Sequence, residues 1–176
     1  MIQQNEVVIF GRAMLRTLII GCLVAILIGV VSGTIFETTI FLVCLMPLRQ
    51  YAGGFHLQSK LWCAVLSIAI LLGNVLIIKY LQITNLAQIL IVIIFATIIL
   101  RYAPVDNSNN RLEVRVKQRF RFRTKMILGI ECIVFFALFL LKLYKYSQIL
   151  ALVILLTGML LLAGIIENLY YKIGDV

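Results

Sequence analysis

The chain has 176 residues, of which 63% are hydrophobic and 13% are charged, and its formal net charge is +9. Soluble domains are about half apolar, so this composition carries more apolar surface than a soluble core of this size can bury. The composition therefore excludes an ordinary soluble domain and predicts an integral membrane protein.

Six apolar segments follow one another along the chain. They cover about residues 18–31, 38–48, 61–78, 86–100, 126–141 and 149–166. A spanning helix needs about 20 apolar residues, so the second segment is short for a full span. We predict an all-α, polytopic protein with about six transmembrane helices, a short second segment and a single domain over residues 1–176. The first residues lack a basic region and a cleavage site, so we expect no removable signal peptide.

Basic residues are concentrated in one connector. Residues 101–125 hold eight of the sixteen Lys and Arg residues. The positive-inside bias places this connector in the cytoplasm, and Arg12 and Arg16 place the N-terminus there too. With six spans, the connector of residues 49–60 also faces the cytoplasm.

The last part of this connector alternates in charge, because every second residue from Arg115 to Lys125 is basic. On a strand all the charges would share one face, whereas a helix would spread them around its surface. The segment could lie on anionic lipid headgroups or dock an acidic partner. Nucleic acid is not expected, since the sequence has no reading module beyond charge.

One histidine and one cysteine stand close together in the sequence. His56 is the only histidine, and Cys63 follows it at the start of the third segment. A thiol becomes a useful nucleophile when a neighbouring base takes its proton, and histidine suits that role near neutral pH. Cys22, Cys44 and Cys132 lie in apolar runs. Because metal-ligand spacing is absent, we expect no metal, and we expect no structural disulfide.

The spacing of His56 and Cys63 constrains the backbone between them. In an unbroken helix their Cα atoms would lie about 10 Å apart along the axis, too far for a hydrogen bond. The chain must therefore bend between them, and Gly53-Gly54 with Gln58-Ser59 supply the permissive and turn-prone residues for such a bend. We therefore expect a loop or re-entrant stretch through His56, with Cys63 on the first turn of the third helix. From the residues alone, an interfacial histidine beside an unrelated buried cysteine stays open.

Five residues have the spacing of a known family motif: Arg49, Gly53, Gly54, His56 and Cys63. A second match is Ala103-Pro104, which precedes the basic connector and the last two apolar segments. Together these features resemble the AgrB (accessory gene regulator protein B) family of bacterial membrane endopeptidases, which process quorum-sensing propeptides. One departure is that residues 105–112 lack the Lys-Pro pairs often found in the family.

The resemblance implies a cysteine endopeptidase of the bacterial cell membrane, multi-pass, with its active site on the cytoplasmic side. Cys63 would be the nucleophile and His56 its base. The enzyme would remove the C-terminal tail of a small propeptide and cyclise the product to a thiolactone or lactone through an acyl-enzyme thioester. Arg49, Gly53 and Gly54 are expected to bind substrate or stabilise the oxyanion. No cofactor is implied.

The basic connector supplies a candidate docking site for the substrate. Arg119, Arg121 and Arg123 are predicted to attract the acidic tail of the propeptide by complementary charge. The expected partners are therefore this small propeptide and anionic lipid, with a homodimer as a further candidate assembly.

Two interpretations from other functional classes stay open. In a small transporter or permease component, Asn74 and Glu131 would line a pathway and Cys63 would be inert. In a non-enzymatic interaction subunit, the basic connector would be the working part. Glu131 follows Lys125 by six residues, which favours an ion pair with the basic connector over a catalytic role.

Overall fold

The computed structural model describes residues 21–54, 60–105 and 114–174. Within these ranges the chain forms six helices and no strand. The helices are α1 (Gly21–Ser32, its described part), α2 (Ile35–Ala52), α3 (Lys60–Tyr80), α4 (Asn85–Tyr102), α5 (Val114–Leu140) and α6 (Tyr144–Gly174). The prediction of an all-α fold is confirmed.

The helices extend beyond the apolar segments that mark them in the sequence. The short second segment lies inside α2, which has 18 residues. At 1.5 Å per residue this helix is about 27 Å long, close to the hydrocarbon thickness of about 30 Å. Hydropathy marks only the apolar middle of a helix, whereas backbone hydrogen bonds continue through polar ends such as Glu37 and Arg49.

The connectors gather at two opposite ends of the helices. At one end, which we call the loop end, the connectors from α2 to α3 and from α4 to α5 meet, because the Val105 N–H donates to the Ala52 carbonyl at 3.1 Å. At the other end, which we call the hairpin end, Lys79 Nζ of α3 donates to the carbonyl of Ser32, the last residue of α1, at 2.7 Å. Successive helices therefore run in opposite directions.

The hairpin end is closed by three buried polar side chains. Gln148 of α6 accepts from the Ile83 N–H at 3.1 Å and donates to the Leu81 carbonyl at 2.8 Å. Ser147 donates to Gln88 Oε1 at 2.8 Å, and Gln88 Nε2 donates to the Ile83 carbonyl at 3.0 Å. These bonds attach the α3–α4 connector to the start of α6 and satisfy polar groups that burial would otherwise penalise.

Helix α6 is the centre of the packing. It contacts α2, α3, α4 and α5, and every residue from Ile149 to Ile154 is buried. A helix that is apolar and buried on all sides can only be an inner helix. The other helices surround α6. The close approach of α6 to α4 requires a glycine at position 158, because a side chain there would meet Phe95 of α4.

The outer surface is strongly apolar. Exposed large apolar residues on α4 are Leu86, Leu90, Ile93, Ile94 and Leu100. Its buried face consists of Gln88, Val92, Ala96 and Ile99, so the face turned outward is no more polar than the face turned inward. Among the described residues, α4 and residues 144–170 of α6 are long and apolar enough to cross a membrane. These features are consistent with a membrane protein.

We predict that Gly158→Ala lowers the thermal stability of the detergent-solubilised protein. The new Cβ would lie 2.5 Å from Cδ1 and 3.2 Å from Cβ of Phe95. Overpacking costs about 1–3 kcal/mol, which exceeds the gain of about 1 kcal/mol in helix propensity. Gly73→Ala and Gly129→Ala are matched controls, because a Cβ there meets nothing within 4 Å. Equal melting temperatures for all three variants would contradict the close contact between α4 and α6.

Candidate functional site

The site is built on the turn that ends α2. Gly53 has φ +71° and ψ −157°, a backbone conformation that is essentially restricted to glycine. It pairs with Val105 in a parallel bridge, and a Cβ on Gly53 would lie 2.4 Å from the Val105 carbonyl oxygen. Glycine is therefore required here for two reasons, the conformation and the close approach of a second backbone.

The next residue packs on the opposite side. Gly54 has φ +128°, and a Cβ there would lie 3.0 Å from the carbonyl oxygen of Leu160 in α6. We call Gly53 and Gly54 the glycine turn. It is held between the backbone of the α4–α5 connector and the backbone of the central helix. Because both residues are glycine, these contacts are made by backbone atoms alone.

This contact brings together two motifs that lie about fifty residues apart in the sequence. Ala103 and Pro104 are buried, and they deliver Val105 to the glycine turn, where the Val105 N–H bonds the Ala52 carbonyl at 3.1 Å. The glycine pair and the Ala-Pro pair, which the sequence presents separately, are thus parts of one site.

Cys63 lies on the first turn of α3, which begins at Lys60. The first four N–H groups of a helix have no partner within the helix, and their partial positive charge favours a thiolate. His56 falls between α2 and α3, outside the described residues, as do the side-chain contacts of Cys63. The contact between His56 and Cys63 therefore stays a prediction.

Arg49 lies in the last turn of α2 and is half-buried. Its carbonyl accepts the Gly53 N–H at 3.2 Å. This bond closes α2 and occupies the Gly53 N–H, so that group is not a free oxyanion donor. Among the groups predicted from the sequence, the Gly54 N–H and the Arg49 guanidinium are the remaining candidates, and the N–H groups on the first turn of α3 are further ones.

The run of alternating basic residues from Arg115 to Lys125 is helical, which excludes a strand. It forms the first turns of α5, so its charges are spread around the helix. One face lines an open groove of about 400 Å³, whose described lining residues are Arg115, Gln118, Arg119, Phe122 and Arg123. Of the three predicted docking residues, Arg119 and Arg123 line this groove. Arg121 is about 200° around the helix from Arg119 and points elsewhere.

Tyr51 connects this basic helix to the glycine turn. Arg123 Nη1 donates to Tyr51 Oη at 3.1 Å, and the guanidinium carbon lies 5.2 Å from the centre of the Tyr51 ring. The ring of Phe120 packs edge-on against Tyr51 with centroids 5.4 Å apart. Tyr51 is not predictable from the sequence, because its partners lie about seventy residues away and no local pattern marks them.

Two polar side chains, Asn74 and Glu131, lie buried within the helices. Asn74 is buried and its Nδ2 donates to the Ile70 carbonyl of its own helix at 2.8 Å. Glu131 is buried, and neither carboxylate oxygen has a hydrogen-bond partner among the described residues. The ion pair expected between Glu131 and the basic connector is therefore not found in the described part of the chain.

The fold and the site define a class of protein. An all-α chain with an apolar outer surface and a candidate thiol site at its helix ends has the features of a helical membrane protein. The chain belongs to the Accessory gene regulator B family, whose sequence profile matches residues 1–162. The family resemblance drawn from Arg49, the glycine turn, His56 and Cys63 is confirmed. Membership associates the chain with the accessory gene regulator system.

Two curated relatives come from Clostridium perfringens. The chain is 26% identical over 124 residues to AgrB-like protein 2 of strain 13, type A. It is 27% identical over 124 residues to an AgrB-like protein of strain SM101, type A. Each alignment covers 66% of this chain and 58% of the relative, so the chain spans less than two thirds of the length of these relatives. No solved structure matches the chain.

We predict that Gly53→Ala destabilises the protein more than Gly33→Ala. Both glycines have positive φ, +71° and +70°, and such sparsely populated backbone conformations cost other residues about 1–3 kcal/mol. Only at Gly53 does the new Cβ also meet the Val105 carbonyl, whereas nothing lies within 4 Å at Gly33. Thermal unfolding in detergent measures the difference. If both variants lose the same stability, the Gly53–Val105 contact does not hold the loop end together.

Proposed function

We propose that the chain is a membrane-embedded cysteine endopeptidase that removes the C-terminal tail of a small quorum-sensing propeptide and cyclises the product. The observation that carries this proposal is the position of Cys63 on the first turn of α3, a helix whose start at Lys60 is separated from the glycine turn only by residues 55–59. Family membership supports the same activity. The proposed catalytic residues are Cys63 as nucleophile and His56 as base.

In the proposed first step, His56 takes the Cys63 proton and the thiolate attacks the scissile carbonyl. The oxyanion is stabilised by donors at this end of the helices, the Gly54 N–H or the Arg49 guanidinium. The tetrahedral intermediate then expels the tail as an amine, which His56 protonates. This step leaves the propeptide acylated on Cys63 as a thioester.

The second step closes the ring. A thiol or hydroxyl of the bound propeptide gives its proton to His56 and attacks the thioester, which forms a thiolactone or lactone and releases the Cys63 sulfur as a thiolate. When the attacking group is a thiol, one thioester replaces another and the step is nearly neutral in free energy. Hydrolysis of the acyl-enzyme would be downhill, so cyclisation requires that water be kept from the thioester.

We further propose six spans with the loop end in the cytoplasm. The alternating directions of α1 to α6 fit an even number of crossings, and the basic first turns of α5 belong to the loop end. The positive-inside bias then assigns that end to the cytoplasm. On this topology the proposed site lies at the cytoplasmic edge of the membrane.

The groove on α5 is the proposed docking site for the acidic tail of the propeptide. Arg115, Arg119 and Arg123 line it, and guanidinium groups bind carboxylates with paired hydrogen bonds. Phe122 is 65% exposed and offers an apolar contact within the same groove. Anionic lipid is the competing ligand for this charge.

We predict that Cys63→Ala and His56→Ala each abolish propeptide cleavage while the protein still inserts in the membrane. Neither side chain is needed to satisfy the backbone of a spanning helix. Cleavage is measured by the release of the tail from a synthetic propeptide in proteoliposomes. Cys22→Ala, Cys44→Ala and Cys132→Ala are the matched controls and should retain cleavage. Normal cleavage by Cys63→Ala would overturn the nucleophile assignment and favour a transporter or permease component in which Cys63 is inert.

We predict that Arg119→Gln raises KM for a substrate with an acidic tail more than Arg121→Gln does. Each variant removes one charge from the same helix, but only Arg119 lines the groove. The value of kcat should change little, as expected for the loss of uniform binding. Salt should raise the wild-type KM, because exposed charges are screened over about 10 Å at 0.1 M.

Two other outcomes of this experiment are informative. Equal effects of the two variants would show that charge density, and not the groove, attracts the tail. A triple variant combines Arg119→Gln, Arg121→Gln and Arg123→Gln. If it slows the cleavage of substrates with acidic tails and with neutralised tails equally, the basic helix serves lipid binding or topology instead.

A further inference from the structure

Arg123 makes two kinds of contact at once. Its guanidinium lines the groove on α5, and its Nη1 also donates to Tyr51 Oη at 3.1 Å, with the Tyr51 ring 5.2 Å from the guanidinium carbon. Arg119, one turn earlier, lines the same groove. Among the described contacts, Arg123 is the basic residue that joins the groove to α2.

Tyr51 lies two residues before Gly53, in the last turn of α2. The main chain of that turn is attached to Val105 through the Ala52 carbonyl and packs on α6 through Gly54. Any displacement of Tyr51 therefore acts on the glycine turn. The contacts of Tyr51 with Arg123 and Phe120 form a side-chain link between this turn and α5.

We propose that Tyr51 and Arg123 form a positioning pair that sets the glycine turn in register with a substrate tail bound in the groove. This inference rests on the proposed function. A guanidinium has five N–H donors in a planar fork, so Arg123 can bond Tyr51 and a tail carboxylate together. The tail then fixes the scissile bond relative to the glycine turn, and neither residue takes part in bond making.

The proposal separates the roles of two arginines in one groove. Arg119 contributes to the affinity for the tail and acts on KM. The charge of Arg123 also contributes to this affinity, and its bond to Tyr51 in addition converts tail binding into alignment of the scissile bond, whose loss lowers kcat. Tyr51→Phe removes the hydrogen bond and keeps the ring contacts with Phe120 and the guanidinium, so it isolates the positioning step.

The test measures kcat and KM of Tyr51→Phe on two propeptides, one with an acidic tail and one with the tail acids changed to amides. We expect kcat on the acidic tail to fall about fivefold, the scale of one net hydrogen bond, with KM unchanged. On the amide tail we expect no change, because no carboxylate engages Arg123 there. Arg123→Lys should keep the low KM that Arg123→Gln loses, but should not restore kcat.

Tyr80→Phe is the matched control. Tyr80 is an exposed tyrosine at the hairpin end with the Lys79 ammonium 5.4 Å from its ring centre, and its substitution should alter neither constant. An equal loss of kcat by Tyr51→Phe on both tails would show a purely structural role, and a change confined to KM would make Tyr51 a tail-binding residue. Either result overturns the proposal.

The positioning role of Tyr51 and Arg123 can be wrong while the endopeptidase assignment is right, and the two cases give different results. If Cys63→Ala is inactive and Tyr51→Phe behaves as wild type on both tails, the endopeptidase assignment stands and the positioning pair does not. If Cys63→Ala retains cleavage, the proposed function itself fails.

Discussion

The loop end depends on one backbone contact, the approach of the Val105 carbonyl to Gly53. A Cβ on Gly53 would lie 2.4 Å from that oxygen, so the two connectors meet only because this position has no side chain. The contact joins the end of α2 to the end of α4, and the adjoining Gly54 packs on α6. Two connectors and the central helix are thus in contact at this end of the bundle, where the described part of α3 begins at Lys60 and that of α5 at Val114.

The two ends of the bundle are held together by different chemistry. The hairpin end uses Gln88, Ser147 and Gln148, whose polar atoms bond one another and the backbone of the α3–α4 connector. At the loop end the described contacts are those between backbones at Gly53 and Gly54, together with the contacts of the Tyr51 side chain with Arg123 and Phe120.

The sequence predicts the all-α fold because spanning segments satisfy their own backbone, so apolar runs mark helices reliably. The residues of the motif were also predictable, from Arg49 through Cys63. The Gly53–Val105 contact was not, because nothing local specifies a partner fifty residues away. The alternating charges from Arg115 to Lys125 fit a strand or a helix equally well, and only the helix shows that Arg121 lies off the groove.

The central helix also bears on the proposed chemistry. Gly54 seats the glycine turn against the Leu160 backbone, and Leu160 and Leu161 of α6 are buried. In the mechanism that we propose, the Cys63 thioester lies beside this turn, where α6 would cover one side of it. Water would then approach the thioester from fewer directions, and attack by a tethered thiol of the bound propeptide would gain over hydrolysis. On this proposal, the close packing of Gly54 on α6 contributes to the exclusion of water that ring closure requires.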